Sequence, residues 1–304
     1  MNITILSRGS YLYSTQSLLR EGEARGHKMD IVDHARCNIM CATNDPQVFF
    51  EGERVDKVDA IIPRIGASVT EHGAAVVRQF ELKKVSTATR SDALLEARDK
   101  FRSLQKLSAN GIGVPRSFLV SDTNDLPWLY QVLGFPLIIK LLESTHGNGV
   151  ILADNSQTAG SVIDAFSSRK EKVLLQEFVK EASGEDIRAF VVGKEVVATM
   201  RRQAEKGEFR SNLHRGATGH IVELTTEERE TALKATRLLG LDVAGVDMLR
   251  SKNGPLIIEV NASPGLEGIE TVTGINVAGK ILDLVEAKVK TARNYKLYKE
   301  KLKK

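Results

Sequence analysis

Short apolar runs alternate with longer amphipathic stretches through the first third of the chain. Residues 3–6 read as a strand, 17–25 as a helix stopped by Gly26, and 29–32 as a second strand. Asp59-Ala-Ile-Ile-Pro-Arg64 adds a third strand and residues 73–82 another helix. This βαβ succession predicts a parallel sheet wrapped by helices. An amphipathic helix over residues 92–110 ends at Gly111 and Gly113, with Pro115 beyond, which puts a domain boundary near residue 95. Residues 137–140, 150–153 and 173–176 read as further strands, with a helix over 156–166. From there to about residue 263 only residues 226–239 carry a helical period, which predicts an antiparallel sheet. The lysine-rich tail from Lys288 is expected to fray, and no internal repeat is visible.

The chain has 304 residues, enough for two or three domains. Its 42% hydrophobic and 27% charged residues fit a globular protein with a real core. A net charge of +4 is too small to imply nucleic-acid binding over the whole surface, although arginines crowd between Arg201 and Arg215. Cys37 and Cys41 have no second cysteine pair to complete a zinc site and read as reduced thiols. The opening MNITILSR lacks a signal-peptide core, and no apolar run approaches the ~20 residues of a membrane span, so a cytoplasmic protein is expected. No GxGxxG follows the first strand, which argues against a dinucleotide site there.

The sharpest chemical signal is a hairpin. Val243-Ala-Gly-Val-Asp-Met-Leu249 and Pro255-Leu-Ile-Ile-Glu-Val-Asn261 flank a turn at residues 251–254. Asp247 and Glu259 lie equally far from Asn253, so a simple register sets them side by side, and Asn261 shares the face of Glu259. Two carboxylates that close repel unless a cation sits between them, and Mg²⁺ suits oxygen ligands of this kind. The other reading is a solvated polar face, which the surrounding Ile, Val and Met fit poorly.

Three weaker signals accompany it. Lys140 precedes Glu143-Ser-Thr-His-Gly-Asn-Gly-Val150, where Gly147 and Gly149 let backbone N–H groups approach phosphate; a plain hairpin turn reads equally well. Gln176-Glu177-Phe178 could offer backbone groups to a purine edge and Asp186 could bond ribose hydroxyls, unless these are ordinary surface residues. Arg201, Arg202, Arg210 and Arg215 form a compact basic group with the bidentate geometry that carboxylates and phosphates require. A solvated or RNA-facing loop is the alternative.

Taken in order, these segments resemble the ATP-grasp superfamily and, within it, the RimK-type ribosomal protein glutamate ligases. The likeness runs through Ala97-Arg-Asp-Lys100, Leu175-Gln-Glu-Phe-Val-Lys-Glu181, Asp186-Ile-Arg188, Gly207-Glu-Phe-Arg-Ser-Asn-Leu-His-Arg-Gly216 and Ile258-Glu-Val-Asn-Ala-Ser-Pro-Gly-Leu-Glu-Gly-Ile269, and covers nearly the whole chain. It implies an α/β ATP-grasp fold with an N-terminal pre-ATP-grasp domain (1–95), a central subdomain (96–176), a metal-bearing C-terminal subdomain (177–290) and a basic tail (291–304). By the same resemblance Lys100 and Lys140 hold ATP phosphates, Glu177 and Phe178 contact adenine through their backbone, and Asp186 holds the ribose. Arg210, Ser211 and Asn212 face the nucleotide and the reacting centre, with Arg202, Arg210 and Asn212 expected to be catalytic. Asp247, Glu259 and Asn261 bind two Mg²⁺ or Mn²⁺ ions, bridged by Glu259.

The implied reaction activates a carboxylate as an acyl phosphate and joins it to L-glutamate. Its expected acceptor is the C-terminal tail of a protein, the sixth small-subunit ribosomal protein, and the surplus charge between Arg201 and Arg215 is expected to hold substrate carboxylates. A homo-oligomer that needs neither membrane nor nucleic acid is expected. Alternatives in the same superfamily add glutamate to an amino-acid carrier protein or to a pterin or deazaflavin cofactor. A different class would be a ribosome- or RNA-binding protein with an idle ATP fold.

Overall fold

The computed structural model describes residues 1–142, 149–167, 172–182, 184–205, 208–211, 213 and 216–302. The first strand, β1 (Asn2–Leu6), serves two cores through its alternation, Ile3 and Ile5 facing one and Leu6 the other. Helix α1 (Tyr13–Ala24) leads into β2 (Lys28–Val32), parallel to β1. A small antiparallel meander, β3 (Asn38–Met40), β4 (Gln47–Phe50) and β5 (Glu53–Arg54), precedes β6 (Ala60–Pro63). These meander strands are too short for an alternation to register, and the pattern missed them. With α2 (Thr70–Leu82) and β7 (Ser86–Thr87) the chain completes a parallel sheet in the order β2-β1-β6-β7.

The helix expected over residues 92–110 is two helices, α3 (Ser91–Arg98) and α4 (Lys100–Ala109). Asp99 breaks them: its backbone is extended, and its side chain accepts a hydrogen bond from the Arg102 N–H at the start of α4. Likewise α1 starts before residue 17, because its first turn is polar and carries no apolar period.

A central unit follows: β8 (Ser117–Val120), α5 (Leu126–Leu133), β9 (Leu137–Leu141), β10 (Val150–Ala153), α6 (Ser156–Ser167) and β11 (Val173–Glu177). Its antiparallel sheet, β10-β9-β11-β8, closes over a core of its own that includes Leu129, Leu137, Ile163 and Leu175.

The remaining strands, β12 (Glu185–Val192), β13 (Glu195–Gln203), β14 (Thr218–Ile221), β15 (Val243–Ser251) and β16 (Gly254–Asn261), form the antiparallel sheet the pattern predicts, in the order β14-β13-β12-β15-β16. Helix α7 (Thr226–Leu238) opens on a capping box in which the Thr225 hydroxyl accepts from the Glu228 N–H while the Glu228 carboxylate accepts from the Thr225 N–H. Along β12, Ile187, Ala189 and Val191 join the core of Leu6, whereas Phe190 and Val192 join that of Ile3 and Ile5. The N-terminal and C-terminal sheets therefore share both of their cores.

The chain ends with α8 (Glu267–Thr273) and α9 (Val277–Leu302). The tail expected to fray is the continuation of α9. Its apolar face, including Val277, Ile281 and Val285, packs in the core of Ile3 and Ile5. Arg293 pairs with Asp59 at 2.8 Å and Lys288 with Asp242. Among the described residues no helix is long and apolar enough to cross a membrane.

Candidate active site

The hairpin of β15 and β16 does set Asp247 opposite Glu259, by a different route from the expected one. The turn has two residues, Lys252 and Asn253, so Ser251 pairs with Gly254 and Met248 with Ile257. Continued without a fault, that register would bring Ile258 to Asp247. A bulge between Asp247 and Met248 takes up Ile258, so Glu259 faces Asp247 instead. Ile257 and Val260 both stay buried, while Ile258, Glu259 and Asn261 all line a cavity of about 550 Å³.

Asp247 sits at the centre of an ionic chain. Arg188, its neighbour across the β12–β15 ladder, grips it with Nε–Oδ1 at 2.7 Å and Nη2–Oδ2 at 2.6 Å. Arg202 reaches the same Oδ2 at 3.0 Å and grips Asp186 at 2.6 and 2.7 Å. The Ser211 hydroxyl donates to Asp186 Oδ2 at 2.5 Å. Asp186, Arg202, Ser211 and Asp247 are all buried. Burial opposes the charge on Asp247, yet the two guanidinium groups hold its carboxyl below the usual carboxylate range. Burial, reinforced by the charge of Asp247, raises Asp186 despite Arg202.

This chain revises the task expected of Arg202. It lines the cavity, but its guanidinium is committed to two aspartates. Arg201 pairs with Glu185 at 3.3 Å, and Arg210 pairs with Glu208 through Nη2 at 2.6 Å. That pair holds the Glu208 carboxyl down to about 2. The charge attributed to a surplus between Arg201 and Arg215 is thus matched within the protein at every described arginine of the group. Asn212 and Arg215, like Gly147 of the glycine loop, lie outside the described residues.

Lys100 and Lys140 line the cavity on the side of Glu259. Burial lowers both, and although Glu259 works against it, Lys140 is pushed down to about 8. The break at Asp99 sets Arg98 and Lys100 on the same cavity wall. Gly149 adopts φ +73° beside β10, a conformation open to glycine, and its carbonyl accepts from the Leu141 N–H at 2.9 Å. Glu177 and Phe178 line the same cavity; the Glu177 N–H donates to the Arg116 carbonyl at 2.9 Å and its carboxylate pairs with Arg116 at 2.6 Å.

Among the described residues no three His, Cys, Asp or Glu side chains gather as a metal site; at the carboxylate pair Asn261 offers a third oxygen, and water or phosphate would supply the rest. The donors fit Mg²⁺. All are oxygens, Glu259 accepts no hydrogen bond from a described residue, and a carboxylate holding two arginines still has lone pairs.

Sequence reasoning assigned no role to Arg188, Arg98 or Arg64, all of which line the cavity. Arg188 was within reach: it shares a strand face with Asp186, two residues away. Arg64 and Arg98 were not, because only tertiary packing brings β6 and the end of α3 to this cavity.

The chain matches the RimK PreATP-grasp domain over residues 1–94 and the RimK-like ATP-grasp domain over residues 97–285. It is 52% identical over 295 residues to a probable alpha-L-glutamate ligase of Vibrio atlanticus, covering 97% of this chain and 98% of that protein. It is 53% identical over 289 residues to probable alpha-L-glutamate ligase 1 of Hahella chejuensis, covering 95% of each. Among solved structures, the ATP-grasp ligase PsnB complexed with minimal precursor, Mg and ADP superposes with a TM-score of 0.74 at 19% identity, over 95% of this chain and 98% of that one.

Proposed function

This chain belongs to the RimK-like ATP-grasp family of ATP-dependent, ADP-forming carboxylate–amine ligases, and on that premise we propose that it adds L-glutamate to the C-terminal carboxylate of a protein. The observation that carries the reading is the single cavity in which Asp247, Glu259 and Asn261 meet Lys100 and Lys140. ATP would lie between the central and C-terminal sheets, with the two lysines on its phosphates and Phe178 near its base. Asp247, Glu259 and Asn261 would hold Mg²⁺, which when bound neutralises phosphate charge as a Lewis acid. Mn²⁺ in its place, and a second ion with Glu259 as the bridge, belong to the same reading.

The acceptor carboxylate attacks the γ-phosphoryl group and ADP leaves. The amine of glutamate then attacks the acyl phosphate, loses a proton and expels phosphate, so no nucleophilic side chain is required. Lys100 and Lys140 balance the charge of the transferring group, while the Arg188–Asp247–Arg202–Asp186 chain fixes the carboxylates that face it. The proposed acceptor is the tail of the sixth small-subunit ribosomal protein, in the cytoplasm. The test incubates enzyme, Mg-ATP and glutamate with that protein and with a version lacking its last residues. Mass added in steps of one glutamate to the intact protein alone supports the reading. Equal labelling of both versions, or of a small cofactor alone, overturns the acceptor.

A further inference from the structure

Two guanidinium groups in the cavity wall form no ion pair among the described residues, although Glu270 acts on Arg64 and Glu259 on Arg98 from farther off. Arg64, just after β6, donates from Nη2 to the Pro264 carbonyl at 2.6 Å, and Arg98, at the end of α3, donates from Nη2 to the Ile65 carbonyl at 3.0 Å. Neither forms an ion pair with a described residue, whereas Arg188, Arg202 and Arg210, which line the same cavity, each grip a carboxylate. Arg98 Nε is buried without a hydrogen-bond partner, and so is the Ser263 hydroxyl beside Pro264. All three side chains line the cavity. The three residues are half-buried, but Arg98 Nε and the Ser263 hydroxyl are covered, so an anion in the cavity would give the guanidinium pair a counter-charge and these atoms a partner. Burial pushes the Arg64 guanidinium down to about 10, although the charge of Glu270 works against it.

We propose that Arg64, Arg98 and Ser263 form the subsite for a carboxylate of the incoming amino acid; the assignment rests on the ligase reading above. The acceptor carboxylate is a poorer occupant. It loses its charge as the acyl phosphate forms, so a guanidinium pair holding it would favour the ground state and oppose transfer. The carboxylates of the amine substrate stay charged throughout. Backbone carbonyls at Ile65 and Pro264 hold both guanidinium groups in place before substrate arrives, which limits the ordering cost of binding.

The experiment titrates L-glutamate into protein loaded with Mg-ADP, for the wild type and for Arg64→Gln, Arg98→Gln and the double variant. Glutamine and isoglutamine, in which one carboxylate or the other is an amide, are titrated in parallel. Each variant is expected to weaken glutamate about 10- to 100-fold while ADP affinity stays within about twofold. The melting temperature of the empty protein should stay within about 3 °C of wild type, because an unmatched cation is being removed. The amide that binds weakly to wild type, yet is no weaker than glutamate in the variants, identifies the carboxylate held. Unchanged glutamate binding in both single variants overturns the subsite, as does a parallel loss of ADP, which would make the arginines phosphate ligands. If wild-type protein neither binds glutamate nor releases ADP with it, the amine reading fails first and the subsite falls with it.

Discussion

At the scale of single residues, Lys140 gives the cavity a pH dependence. Its ammonium titrates at about 8 in the empty protein, and bound phosphates would raise that value. Affinity for Mg-ATP should therefore be full below pH 8 and fall as pH rises through it, because binding must then take up a proton. Lys140→Arg, charged throughout, should flatten the profile between pH 7 and 9.5, as calorimetric titration would read. Glu259 and Arg202 separate chemistry from architecture. Glu259→Gln should abolish turnover while the nucleotide-free melting temperature stays near wild type, and an active variant would remove Glu259 from the metal site. Arg202→Ala strips a buried counter-ion from Asp186 and Asp247 and should cost about 3–5 kcal/mol of folding stability, measurable by urea denaturation. Asp247 and Glu259 stood out beforehand because acids amid Ile, Val and Met are conspicuous, whereas Asp186 read equally as an ordinary surface acid. That Arg202 is committed to Asp186 and Asp247 was not legible, because in sequence it is simply one arginine among several.

At the scale of elements, the break between α3 and α4 is the feature periodicity could not see. The apolar period runs through residues 92–110 unbroken, and only the cap at Asp99 divides it. Asp99→Ala should cost about 1 kcal/mol and weaken ATP, since Lys100 loses the turn that aims it, while Asp99→Asn should keep both. Thermal melts and nucleotide titration of the two variants would tell; equal losses in both would exclude the cap as the cause. The parallel N-terminal and antiparallel C-terminal sheets were legible because their alternation, or lack of it, is a property of local sequence, whereas the meander strands were too short to carry one. The bulge at Ile258 was not legible: counting outward from Asn253 reached the right pair while missing the extra residue that makes it.

At the scale of the whole molecule, the cores divide the chain unequally. The N-terminal and C-terminal sheets share two of them, whereas the central unit closes over its own. Calorimetry of the nucleotide-free protein should resolve an earlier transition from the central unit, and Mg-ATP, bridging the two bodies, should merge the transitions. A single transition that Mg-ATP only shifts would show the units to be coupled already. The shared cores also set an order on biosynthesis. The parallel sheet is translated before α9, the helix that packs in the core of Ile3, Ile5 and Leu18. Every nascent chain must keep that apolar face uncovered until α9 has been made, so premature stop codons within α9 should yield chaperone-bound or aggregated protein rather than a partly active enzyme.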